Sequence, residues 1–165
     1  MLSLGCLSIF GGFSLKVKFE SRIAGFTYLD PLLLCVVFRG GLFLDGVLSM
    51  IVSDGDLSLR AVELLKSSTH FQQVNYAMFD GSSWSGGLDL DFLYESLGKP
   101  IIVVYECEES NSIFLSKFNL YVKFRGVSLS RVEALLDIST FNLLPEPLRV
   151  ARLLALSLLD ALSFS

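Results

Sequence analysis

YAMFDGSSWSG, residues 76–86, ends an apolar run in a carboxylate and follows it with a turn of glycines and serines. Residues 74–80 read as a buried strand. The Asp80-Gly81 step closes it, and the small residues beyond let the carboxylate project from the sheet with little bulk around it. Residues 89–97 then predict a short helix, and Lys99-Pro100 introduces the strongly apolar strand IIVVYE. On the other side, DGDLSLRAVELLKSS at residues 54–68 spaces Leu57, Ala61, Leu64 and Leu65 along one helical face, with Asp56 or Ser58 available to cap its start. Strand, helix, strand, helix, strand at these lengths means parallel crossovers, so the fold class is α/β.

Further toward the amino end, residues 16–28 alternate as a strand and Asp30-Pro31 reads as a turn. Residues 32–39 are a continuous apolar run, as in a strand buried on both faces. Gly40-Gly41 links it to residues 42–53 as an antiparallel hairpin, with Asp45-Gly46 marking a bulge or a close backbone approach. Toward the carboxyl end, residues 114–124 predict one extended strand, and Ser130 to Glu133 is a capping-box pattern opening a helix that reaches about Thr140. Pro145-Glu146-Pro147 suits a first helical turn. The leucines that follow cover nearly the whole circumference, which places this helix in the core, in a homo-oligomer interface or against a protein partner.

At 165 residues the chain predicts one domain, residues 16–165, preceded by residues 1–15 as an N-terminal extension or first strand. Apolar residues make up 52% and charged ones 18%, so most elements must be covered on both sides. Cys6, Cys35 and Cys107 lack metal-ligand spacing and read as thiols of a reducing cytoplasm. The net charge of −4 argues against a broad electropositive surface, so DNA as a partner requires a local basic patch or a bound divalent metal. No apolar run is long enough to predict a membrane span, and the apolar start lacks the basic residues of a signal peptide.

Metal-dependent phosphodiester cleavage needs at least two carboxylates converging on a hard cation. The candidates near strand ends are Asp45, Asp54, Asp56, Asp80 and Asp91, of which Asp54 and Asp56 also suit helix capping. Asp80 and Asp91 flank the same glycine-rich loop and are the expected metal ligands. A working site calls for Asp80 together with Asp30, Asp45 or Asp91, and for a basic groove near Arg39, Lys66, Arg149 or Arg152. His70 is the only histidine, which excludes a His-rich zinc site, and its place after a helix favours a capping role. The chain lacks a Gly-x-Ser-x-Gly elbow, a G-x-G-x-x-G fingerprint and a Walker lysine. Trp84 offers either a ring for stacking on a base or a lid on the core.

Together, VVFRGGLFLDGVLS at residues 36–49, DGDLSLRAVELLKSS, THFQQVNYAMFDGSSWSGG at residues 69–87, GKPIIVV at residues 98–104 and LPEPLRVARLLA at residues 144–155 resemble the archaeal endonuclease dU family, related to endonuclease V. The resemblance covers most of the chain. It implies a ribonuclease H-like mixed sheet with helices on both faces, and Mg²⁺- or Mn²⁺-dependent cleavage of DNA containing deaminated bases such as deoxyuridine. Asp80, Asp91, Asp45, His70, Arg39, Glu146 and Arg149 match the family pattern, which implies catalytic roles for Asp80, Asp91, Asp45 and His70 and substrate contacts for Arg39 and Arg149. Trp84 and Arg152 join the substrate-binding candidates. The chain also departs from the pattern. Gly25, Phe26, Thr27 and Tyr28 stand where the family's first strand carries a Gly-x-Asp-Asp-like run, and Leu88 stands where the family has an amide. Arg152 takes the place of the usual histidine after PEPLR-x-A. The alternative is therefore a catalytically degraded relative that acts as a binding or assembly subunit. If the fold is right, Asp80 sits beside residue 27 on the neighbouring strand.

Overall fold

A run of apolar side chains broken only by tight turns builds three antiparallel strands at the start of the described chain: β1 (Arg22–Leu29), β2 (Leu32–Arg39) and β3 (Phe43–Ile51). The computed structural model describes residues 17–84 and 86–163. The extension expected at residues 1–15 lies outside them. The expected first strand is shorter than its alternation suggested, because residues 19 and 20 form a turn before Arg22. Asp30-Pro31 forms the β1–β2 turn through a cis peptide bond. The bulge expected at Asp45-Gly46 is present as a register shift: Val37 pairs with Gly46 and Phe38 with Leu44, which leaves Asp45 as the extra residue.

Helix α1 (Leu57–Lys66) follows, capped by Asp56, whose carboxylate accepts from the Ser58 N–H. Strand β4 (Val74–Asp80) lies parallel to β1, and helix α2 (Leu90–Leu97) is capped by Asp89. Strand β5 (Ile101–Tyr105) lies parallel to β4. Where one strand was expected at residues 114–124 there is a hairpin, β6 (Ile113–Leu115) and β7 (Leu120–Arg125). Its turn contains Asn119 at φ 54°, a conformation that asparagine tolerates better than most residues. Helix α3 (Leu129–Ser139) is capped by Ser128, two residues before the serine that the pattern suggested, and helix α4 (Glu146–Ser163) ends the described chain.

The seven strands form one mixed sheet in the order β3-β2-β1-β4-β5-β7-β6, with two helices on each face. On one face α1 and α2 cover Ala24, Phe26, Cys35, Phe79 and Val103. On the other, α3 covers Met78, Ile102 and Val122, while α4 lies on Leu34, Val36 and Phe38 through Ala151 and Ala155. Close approach of α4 depends on Gly25 of β1, where an added Cβ would fall 2.6 Å from the Pro147 Cβ. Only part of α4 is enclosed: Leu148, Ala151 and Ala155 are buried, whereas Leu153, Leu156 and Leu162 are about half exposed. Among the described residues no helix is long and apolar enough to cross a membrane.

Candidate functional site

Parallel pairing of β1 and β4 brings Thr27 and Asp80 side by side at the carboxyl ends of two central strands, as the sequence anticipated. The preceding pair, Phe26 and Phe79, stack with ring centroids 4.6 Å apart on the opposite face and hold this register. Asp80 is 1% exposed and Thr27 is fully buried. Thr27 Oγ1 donates to Asp80 Oδ2 at 3.0 Å. Ser83 Oγ lies 3.1 Å from the Thr27 hydroxyl, accepts from the Tyr28 N–H and donates to the Asp80 carbonyl at 3.0 Å, so the glycine-serine turn folds back onto β1.

The remaining acceptor sites of Asp80 are taken by Arg152. This residue reaches down from α4 one position after Ala151, whose methyl group is buried against the sheet. Its Nε donates to Asp80 Oδ2 and its Nη2 donates to Oδ1 at 2.7 Å, a bidentate pair. Nη2 also lies 2.8 Å from Oε2 of Glu106, the first residue beyond β5. Hydrogen bonding to Asp80 is the largest influence on the guanidinium and raises its pKa above its already high ordinary value, aided by the charge of Asp80 and by Glu106 and opposed by desolvation. The buried carboxylate thus holds a permanent cation supplied by the chain. Sequence reasoning missed Glu106, which it placed at the start of a charged loop. The available signal was its position directly after the strand that neighbours β4.

The other candidates are engaged elsewhere. Asp91 sits in the first turn of α2 and pairs with Arg125 at 2.8 Å, while Asp80 meets α4, so these two carboxylates lie on opposite faces of the sheet. Asp45 pairs with Arg22 at 2.9 Å and Arg39 at 3.3 Å near the amino end of β1, the opposite end of the sheet from Asp80. Asp30 accepts from the Tyr28 hydroxyl at 2.8 Å. Burial, followed by this hydrogen bond, pushes the Tyr28 phenol up. His70 lies against β3, where a Cβ added to Gly46 would fall 2.4 Å from its Nε2, and the cap of α1 is Ser67 instead. Arg149 is held by Glu146 through two hydrogen bonds of 2.8 and 2.7 Å. Trp84 is 7% exposed and packs edge-on against Phe79, so its ring is a lid on the core and is not presented for stacking.

This donor set does not fit the divalent cation expected from the resemblance. A hard cation needs several oxygen ligands with their negative charge, whereas here one buried aspartate is already neutralised by a guanidinium. Among the described residues no three His, Cys, Asp or Glu side chains gather as a metal site. The expected basic groove is also missing its free charges: Arg39, Arg149 and Arg152 are each paired with a carboxylate. Two clefts of about 370 and 320 Å³ flank Gly86 and Gly87 at this end of the sheet, one lined by Tyr28, Asp30 and Asp56, the other by Trp84, Tyr105 and Lys123.

No family model matches the chain. Among solved structures, it is similar to a protein of unknown function from Archaeoglobus fulgidus, with a TM-score of 0.74 at 17% identity over 84% of this chain and 98% of that one. Endonuclease V of Ciona intestinalis, solved with a 24mer DNA containing an inosine followed by a ribo-adenosine, gives a TM-score of 0.59 at 13% identity over 86% of this chain and 87% of that one. These likenesses concern the fold, and endonuclease V shares the ribonuclease H-like arrangement of a mixed sheet between helices. In sequence, the chain is 31% identical to a UPF0215 protein of Methanosarcina mazei, over 84% of its own length and 91% of the relative's. It is 30% identical to one from Methanothermobacter thermautotrophicus, over 85% and 88%. With relatives this similar over nearly their full length, the chain belongs to the UPF0215 family of archaeal proteins.

Proposed function

We propose that this chain is a hydrolytically silent protein on a nuclease fold, a binding or assembly subunit in which Arg152 holds the position that a catalytic cation would need. The observation that carries this reading is the occupation of Asp80: both carboxylate oxygens accept from Arg152, and one accepts from Thr27 as well. Without a second carboxylate beside it, Asp80 lacks the charge to draw a divalent ion away from the guanidinium. The departures noted in the sequence fall on this one contact. Thr27 removes a negative charge from β1, and Arg152 adds a positive one from α4.

The second reading is Mg²⁺- or Mn²⁺-dependent cleavage of DNA containing deaminated bases. It is favoured by the position of Asp80 at the carboxyl end of a central strand in a fold shared with endonuclease V. It requires Arg152 to swing away from a buried partner. The test is incubation of a labelled DNA strand containing one deoxyuridine with Mg²⁺ or Mn²⁺ and either the native protein or Asp80→Asn. No cutting by folded native protein is expected. Cutting by the native protein that vanishes in Asp80→Asn would overturn the silent reading.

A further inference from the structure

We infer that the face carrying α4 is the interface of a two-fold symmetric dimer, with α4 of each copy resting on the uncovered strip of β3 of the other. Beside α4, the sheet continues one strand further than the helix reaches. Leu44, Val47 and Ile51 pair with or next to the buried Phe38, Val36 and Leu32 and share their face, yet each is about half exposed. On the helix, Leu153 and Leu156 turn away from the sheet. Leu162 continues the sheet-facing stripe of Ala151 and Ala155 and is 57% exposed. From residue 153 to 163 the helix carries a single charged side chain, Asp160.

Together the six exposed side chains leave on the order of 600 Å² of apolar surface in water, against about 450 Å² of apolar area in one side of a standard interface of roughly 800 Å². A monomer rarely keeps a patch of this size exposed. A second copy fits because the two halves of the patch, helix and strand, are adjacent and equally apolar. One two-fold rotation sets each against the other, both contacts form together, and the assembly closes. The patch presents no lysine or arginine to engage a phosphate backbone. The inference rests on this surface alone and is independent of whether Asp80 supports hydrolysis.

The test is the mass of the full chain in solution at micromolar concentration, by light scattering or sedimentation, for the native protein, Leu156→Glu and Val47→Lys. The native protein should have twice the chain mass. Each variant alone should have the mass of one chain with an unchanged circular dichroism spectrum. Mixing the two variants should restore the doubled mass, since Leu156→Glu on one helix then meets Val47→Lys on the other strand. A monomeric native protein would overturn the inference and leave the patch to an unrelated partner. A variant that stays dimeric, or a mixture that stays monomeric, would overturn the helix-on-strand arrangement.

Discussion

Arg152 and Asp80 set the character of the molecule at the scale of single residues. The aspartate is almost completely buried, and its partner is a quarter exposed and shared with Glu106. Removing one member of such a pair strands the other charge, which costs far more than the intact pair contributes. Arg152→Ala is expected to destabilise the protein by about 3–5 kcal/mol, as measured by the denaturant midpoint. A loss below about 1 kcal/mol, typical of exposed pairs, would show that Asp80 is hydrated and not dependent on the guanidinium. The sequence made part of this centre legible. Asp80 at a strand end and Thr27 as its neighbour followed from patterning and from the family resemblance. Arg152 was noticed only as a departure from a histidine. That it reaches Asp80 depends on the seating of α4, which no local pattern encodes.

Among the elements, α4 depends most on a single small residue of its neighbour. At Gly25 an added Cβ would meet the Cβ, carbonyl carbon and carbonyl oxygen of Pro147 at 2.6 to 2.8 Å, and backbone atoms cannot step aside as a flexible side chain would. Gly25→Ala should therefore lift the start of α4 and cost about 1–3 kcal/mol, read as a lower midpoint in urea. An unchanged midpoint would mean that the helix seats without this contact. The elements themselves were largely readable. Strand β2 and strand β4 run over the residues their apolar runs indicated, because continuous apolar stretches between turn residues leave little freedom. Residues 113–125 were misread as one strand because the Ser116 to Asn119 turn contains no glycine or proline. The α3 cap was misplaced because two serines, Ser128 and Ser130, both precede the helix.

For the molecule as a whole, the core contains one group whose ionisation opposes folding. Cys35 is fully buried beneath α1, and burial pushes its thiol far up. Its ordinary pKa is near 8.5, so above that value the unfolded chain releases the proton while the native state retains it. Unfolding free energy should be flat with respect to this group below about pH 8 and should then fall by as much as about 1.4 kcal/mol per pH unit. Cys35→Ala should remove that slope between pH 8.5 and 10 while lowering stability throughout by creating a small void. A native slope that the substitution leaves unchanged would assign the alkaline loss to other groups.

The guanidinium at Asp80 is covalently attached to α4, so the charge that balances this carboxylate arrives with the polypeptide and cannot diffuse away. A centre balanced by a bound ion is emptied by chelators and varies with the metal content of its surroundings. Here the counter-ion is inherited through the gene, present in every copy at fixed stoichiometry, and the carboxyl end of the sheet stays neutralised in EDTA as it does in buffer.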